Sequence, residues 1–243
     1  MTLDKWSMFM KFGSKDNLEK LFKGQLYMKN LRYYVNLEKE KEDNDIGDKY
    51  DGQWVMQDVI IDVFDQNTDE FLYELKTPLA SMDLGFLDYP VFCMFMFDHR
   101  NYVDGNRSGD IAEVTYQFTK DQISRLPNLG DYVLIIENEK EFIERATTAI
   151  QKAGYGYTRD VVNYHQGNVN QHVQEIANDN KRIAFWKRQS YAYQQEYRIM
   201  GLGDPVDDHL CVDIGSLENI AILKKTEDVI KTQFRIRFQV KDV

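Results

Sequence analysis

Cysteine is nearly absent: Cys93 and Cys211 are the only two in 243 residues. Two thiols make no disulfide framework, which points to a reducing, cytoplasmic setting. Proline occurs four times, and no Pro/Gly/Ser-rich linker divides the chain, so a single domain over residues 1–243 is expected. Long apolar runs are missing as well. The run from Pro90 to Phe97 is too short to cross a bilayer, and Met1 to Gly13 lacks the apolar centre of a signal peptide, so no membrane partner is expected. Lys and Arg number 30 against 40 Asp and Glu, a net charge of −10, which excludes broad binding to a nucleic-acid backbone. Neither GxGxxG nor GxxxxGK[ST] occurs. His99, His165, His172 and His209 are scattered at no metal-binding spacing with cysteine. The acidic series Asp43, Asp45, Asp48 and Asp51 fails the EF-hand template, because its glycine comes early and the closing Glu is missing, so no metal is expected.

What the chain does have is 43% hydrophobic and 13% aromatic residues, the composition of a packed, β-rich core. Met8 to Phe12 reads as a buried strand. Ser14 is placed to cap a helix with Leu18, Leu21 and Phe22 on one face, and Gly24 to end it. An extended stretch follows at Leu26 to Met28. Residues 36–52 are almost all charged and read as a solvated loop turning at Asp51–Gly52. Val55 to Asp65 alternates, with Val59, Ile61 and Val63 on one face, and Asn67 to Asp69 turns it into Glu70–Leu75 as a hairpin. Val91 to Phe97 is uninterrupted and fits a central strand covered on both faces. Glu113 to Phe118 alternates again. Thr119 and Gln122 form a capping box, Tyr132 to Ile136 is a strand, and Asn138 caps a helix that ends at Gly154. A further helix is predicted from Val173 to Lys187, a strand from Gln194 to Met200, a short helix from Thr226 and a strand from Phe234 to Val240. Strands and helices mix without a βαβ rhythm, so the fold class is α+β.

Two segments at opposite ends carry chemistry. The first is FMKFGSKDNLEKLFKGQLYM, residues 9–28; the second is FWKRQSYAYQQEYRIM, residues 185–200. On an extended strand Gln194, Glu196 and Arg198 share one face. An amide, a carboxylate and a guanidinium are costly in a core unless paired, and they suit a polar pocket. The plainer reading is an amphipathic strand with a charged outer face, and for Lys11 an edge-strand lysine. Cys93, inside an apolar strand, reads as an inert packing thiol.

Together the two segments resemble the ADP-ribosyltransferase superfamily. Lys11 falls where the first strand of that family ends in His or Arg, ahead of Asn17–Leu18, and Gln194-x-Glu196 matches its Gln/Glu-x-Glu signature. The layout also resembles an uncharacterised bacterial and phage family with Lys-Tyr, Asn-Asp, Cys-Phe-Ser and Glu-x-Glu-Tyr-Arg motifs. The corresponding residues here are Lys11–Phe12, Gly47–Asp48 with Asp51–Gly52, Phe92–Cys93–Met94–Phe95 and Gln195–Glu196–Tyr197–Arg198. The resemblance implies a mixed, mainly antiparallel split sheet with peripheral helices, and NAD as substrate. In it Glu196 assists NAD cleavage, Gln194 positions the acceptor and Lys11 holds a ribose hydroxyl or a phosphate. Phe12, Arg198 and Asp48 contribute to NAD binding. The middle motif here has no Ser, which leaves Tyr102 or Tyr116 for the nicotinamide pocket. Three readings stand. One is an enzyme that transfers ADP-ribose to a macromolecular target, a protein, in a phage, toxin or defence context. Another is a catalytically silent interaction module that binds and inhibits a host or defence protein through the acidic 36–52 loop and exposed aromatics. The last is a binder of a nucleotide or nucleotide-like signal.

Overall fold

The computed structural model describes residues 7–41, 46–165 and 173–240. The first half comprises β1 (Met8–Gly13), α1 (Lys15–Phe22), β2 (Gln25–Asn30), α2 (Leu31–Lys41), β3 (Gln53–Phe64), β4 (Phe71–Asp83), β5 (Pro90–Phe97), β6 (Tyr102–Ser108), β7 (Ile111–Gln117) and α3 (Lys120–Arg125). The second comprises β8 (Tyr132–Ile136), α4 (Glu139–Lys152), β9 (Gly156–Val161), β10 (Asn163–His165), α5 (Val173–Asn178), β11 (Trp186–Arg188), β12 (Glu196–Leu202), β13 (His209–Asp213), β14 (Ala221–Lys225), α6 (Thr226–Val229) and β15 (Gln233–Gln239). The fold is α+β and mainly antiparallel; β10 and β11 form a parallel pair. No described helix is long and apolar enough to cross a membrane.

Local chemistry sets the boundaries of several elements. The Ser14 side chain caps α1. Gly24 leaves it at φ +102°, where an added Cβ would lie 2.6 Å from the Gly215 carbonyl oxygen, so only glycine fits this exit. Thr119 and Gln122 cap α3 reciprocally, at 3.2 and 2.9 Å. Asn138 accepts from the Glu141 N–H at 3.1 Å and starts α4, whose Phe142, Ala146, Ala149 and Ile150 are buried against the sheet.

β5 is the spine. Its run is apolar because both faces are covered. Phe92 and Met94 join the core shared with α1 and α4, while Phe95 and Phe97 join the core shared with β7 and β15. β12 pairs along one edge, from Glu196↔Phe95 to Met200↔Val91. Two strands share the other edge: β1 takes Phe95 to Phe97, and β2 takes Pro90 and Val91. Phe92, Cys93 and Met94 have no strand partner on that side, so the sheet splits at its centre. β8 and β14 extend the sheet beyond β1, β13 extends it beyond β2, and β9 beyond β12.

Three expectations need correction. The described residues of 36–52 are not a solvated loop. α2 runs to Lys41, and Gly47, Asp48, Asp51 and Gly52 are buried, because cationic side chains from distant segments meet the carboxylates. Asp43, Asp45, His172 and Gly167 lie outside the described residues. The helix predicted from Val173 to Lys187 stops at Asn178; Asp179 accepts from the Lys181 N–H and starts a 3₁₀ turn over Asn180–Phe185. Gln194 is not in the strand. It ends a second 3₁₀ turn, and Gln195 at φ 39° redirects the chain into β12. The hairpin of β3 and β4 forms as expected, with a register shift near its tip.

Candidate functional site

A carbonyl left unpaired inside a sheet is costly unless something donates to it. At the split, the Lys11 ammonium donates to the Cys93 carbonyl oxygen at 2.7 Å and lies 5.0 Å from the centroid of the Phe92 ring. An ammonium has three donors, and this contact uses one. Burial lowers the Lys11 pKa, while nearby Cys93 and Glu196 act in the opposite direction. Burial pushes the Cys93 thiol up to about 12, so it stays neutral and unreactive.

Across β5, Glu196 opens β12. Its backbone N–H donates to the Tyr164 hydroxyl at 2.8 Å. Its carboxylate accepts from Lys187 Nζ at 2.6 Å on one oxygen and from Arg198 Nε at 2.7 Å on the other. The far side of the Arg198 guanidinium forks onto both oxygens of Asp51, each at 2.7 Å, and donates to the Ala184 carbonyl at 2.6 Å. Lys187 also donates to Gln194 Oε1 at 2.8 Å. Every member of this chain is buried. Burial by itself would raise the Glu196 pKa, but Arg198 and Lys187 outweigh it and hold the carboxyl well below its usual range. Burial likewise opposes the charge on Arg198, and Asp51 and Glu196 overcome it, so the guanidinium pKa is raised. Two carboxylates thus balance two cations, and Lys11 adds a further positive charge beside them.

Lys11 and Glu196 line one cavity of about 210 Å³, together with Met10, Phe12, Tyr34, Cys93, Lys187, Gln194 and Arg198. A groove of about 660 Å³ shares Lys11, Phe12 and Tyr34 with it and continues past Lys20, Lys29, Tyr27 and Tyr33. There Tyr27 stacks on His209 with centroids 4.3 Å apart, and Lys29 is paired with Asp208. The two spaces form a basic, aromatic-lined path along the split.

Of the residues singled out in the sequence, Lys11, Phe12, Gln194, Glu196 and Arg198 therefore come together. Asp48 does not line the cavity. It is buried behind it, where Arg188 Nε reaches its carboxylate at 2.8 Å. Tyr102 and Tyr116 pack edge to face on the far sheet and also lie outside the cavity lining. Tyr34 from α2 lines the space instead, its hydroxyl pKa raised well above 10 by burial. Sequence reasoning missed Tyr34 and Lys187; it named Asp51 in the Asp51–Gly52 motif but read it as part of a solvated turn and not as a partner of Arg198. The clue to Lys187 was a lysine following the largely apolar stretch Ile183–Trp186. No family model, no curated protein and no solved structure matches the chain.

Proposed function

We propose that the cleft at the split binds NAD and that the protein transfers ADP-ribose to a macromolecular acceptor, a protein. The observation behind this reading is that Lys11 and Glu196, from opposite ends of the chain, line the same cavity. In the reaction, the bond between ribose C1′ and the pyridinium nitrogen breaks. Its electron pair goes to that nitrogen, and neutral nicotinamide leaves. An oxocarbenium-like ribose remains until the acceptor's nucleophile supplies a new pair to C1′ and gives up its proton to solvent water. Glu196, held ionised, stabilises the developing positive charge and accepts a hydrogen bond from a ribose hydroxyl. Each of its oxygens has a second lone pair to do so. Lys11 directs its remaining donors to a hydroxyl or phosphate of NAD, and Gln194 faces the acceptor. Lys20, which lines the adjoining groove, suits the diphosphate. A phage, toxin or defence setting belongs to this reading.

A second reading is a silent nucleotide-binding site. Its support is that both Glu196 oxygens already carry charge-assisted bonds, which drain the field a cationic transition state would use. The experiment combines labelled NAD, lysate proteins and a thermal melt. On the transferase reading the wild type releases nicotinamide and labels protein. Glu196→Gln loses this by about 100-fold or more while still being stabilised by NAD. Stabilisation by NAD without turnover selects the silent site. Neither turnover nor stabilisation of a folded wild type removes NAD from the account.

A further inference from the structure

The β3–β4 hairpin is an arm. Beyond Val55 on β3, and along all of β4, no residue is buried. Among the described residues the two strands pair only with each other, which leaves the outer edge of β3 at Val59–Phe64 without a neighbouring strand. A two-stranded ribbon alone is marginal in water, and its apolar side chains would normally need cover. Direct opposition sorts its distal part into two faces. Val59↔Thr77, Ile61↔Leu75 and Val63↔Tyr73 make one face apolar. Ile61, Leu75 and Tyr73 are 43%, 49% and 52% exposed. The opposite face pairs Ile60 with Lys76 and Asp62 with Glu74; Lys76 meets the Glu74 carboxylate at 2.8 Å, which leaves Asp62 as the carboxylate of this face with no cation on the ribbon beside it. Residues 53–83 hold seven carboxylates and one lysine, so more than half of the chain's net charge of −10 sits on this arm.

We propose that the β3–β4 arm docks an extended basic segment of another protein, which adds as a third strand along the free edge of β3 at Val59–Phe64. Strand addition supplies backbone hydrogen bonds, and a period of two sends alternate side chains to opposite faces. The complementary segment therefore alternates apolar and basic residues. Its apolar set lies beside Val59, Ile61 and Val63 and extends their face, while its basic set meets Asp62. Charge argues against a second copy of this chain, since two such arms would set carboxylate against carboxylate. The arm thereby takes over the docking role that the sequence assigned to the acidic 36–52 segment. This inference does not depend on NAD.

The test is fluorescence anisotropy with short labelled peptides alternating Val/Lys, Val/Glu or Ser/Lys, at moderate salt. The Val/Lys peptide is expected to bind at least about tenfold more tightly than either control. The pair Ile61→Ser with Leu75→Ser, and separately Asp62→Lys with Glu74→Lys, should each remove that advantage. Circular dichroism melts verify folding, and Val63→Ser, on β3 itself, serves as a milder variant if a double variant fails to fold. Equal binding of Val/Lys and Ser/Lys peptides would reduce the effect to charge alone and overturn the proposal. So would a wild-type dimer in sedimentation velocity that the serine pair abolishes, or binding to neutral phosphatidylcholine vesicles that the serine pair abolishes.

Discussion

At the split in the sheet, Asp51, Lys187, Glu196 and Arg198 lie inside the protein; on the β3–β4 arm, Ile61, Tyr73 and Leu75 lie outside it. Each region inverts the ordinary distribution of side chains, and partners account for the difference. The buried charges satisfy one another through bonds of 2.6–2.7 Å, so burial leaves no charge uncompensated. The exposed apolar residues meet one another across the ribbon, but no other element of the described chain covers them. A site that carries its own partners is a rigid, preorganised interior. A surface that lacks them is a place for a second molecule.

The largest effect should come from breaking the interior. Arg198→Met leaves Asp51 and Glu196 as poorly compensated buried carboxylates and should cost about 3–5 kcal/mol, read as a lower chemical-denaturation midpoint. A loss below about 1 kcal/mol would mean that the network is wet and relaxed rather than fixed. Glu196→Gln sharpens the same side of the comparison through pH. The folded carboxyl has a lowered pKa, so its contribution is fully present above the ordinary value of 4.5 and is lost as pH falls toward the lowered folded value. The stability gap between wild type and Glu196→Gln should therefore be widest near neutrality and shrink on acidification below about pH 4.5. A gap independent of pH would show that charge is not what the residue contributes. The smallest effect belongs to the arm. Ile61→Ser with Leu75→Ser should change global stability by less than about 1 kcal/mol, because surface sites typically shift it by about 0.5 kcal/mol or less each. A large loss would mean that the arm packs against the molecule and is not a free surface.

Much of the frame was legible in the sequence. Ser14, Gly24, Thr119 with Gln122, and Asn138 mark helix ends because capping is decided within a few residues. The uninterrupted run of β5 and the alternation of β15 also read correctly, since strand burial writes its period into the chain. The site was partly legible. Lys11, Phe12, Gln194, Glu196 and Arg198 were identified and do line one cavity. Gln194 arrives there from a 3₁₀ turn, which the strand periodicity could not show. Local reading failed where a charge is neutralised from far along the chain. Asp48 meets Arg188, and Asp51 meets Arg198, across sequence separations of 140 and 147 residues. A composition-based reading of 36–52 sees only solvated acid.

By itself, the sequence determined the class of fold, the helix caps, the central strand and the two segments that carry the candidate chemistry, because these depend on short-range sterics and on hydrophobic period. Tertiary structure alone decided that two strands would share one edge of β5 and leave Cys93 open to Lys11. It also decided that Asp51 would be buried and that the apolar face of the β3–β4 arm would stay bare. Those outcomes depend on which distant group arrives opposite, and that is set by packing of the whole chain rather than by any neighbouring residue.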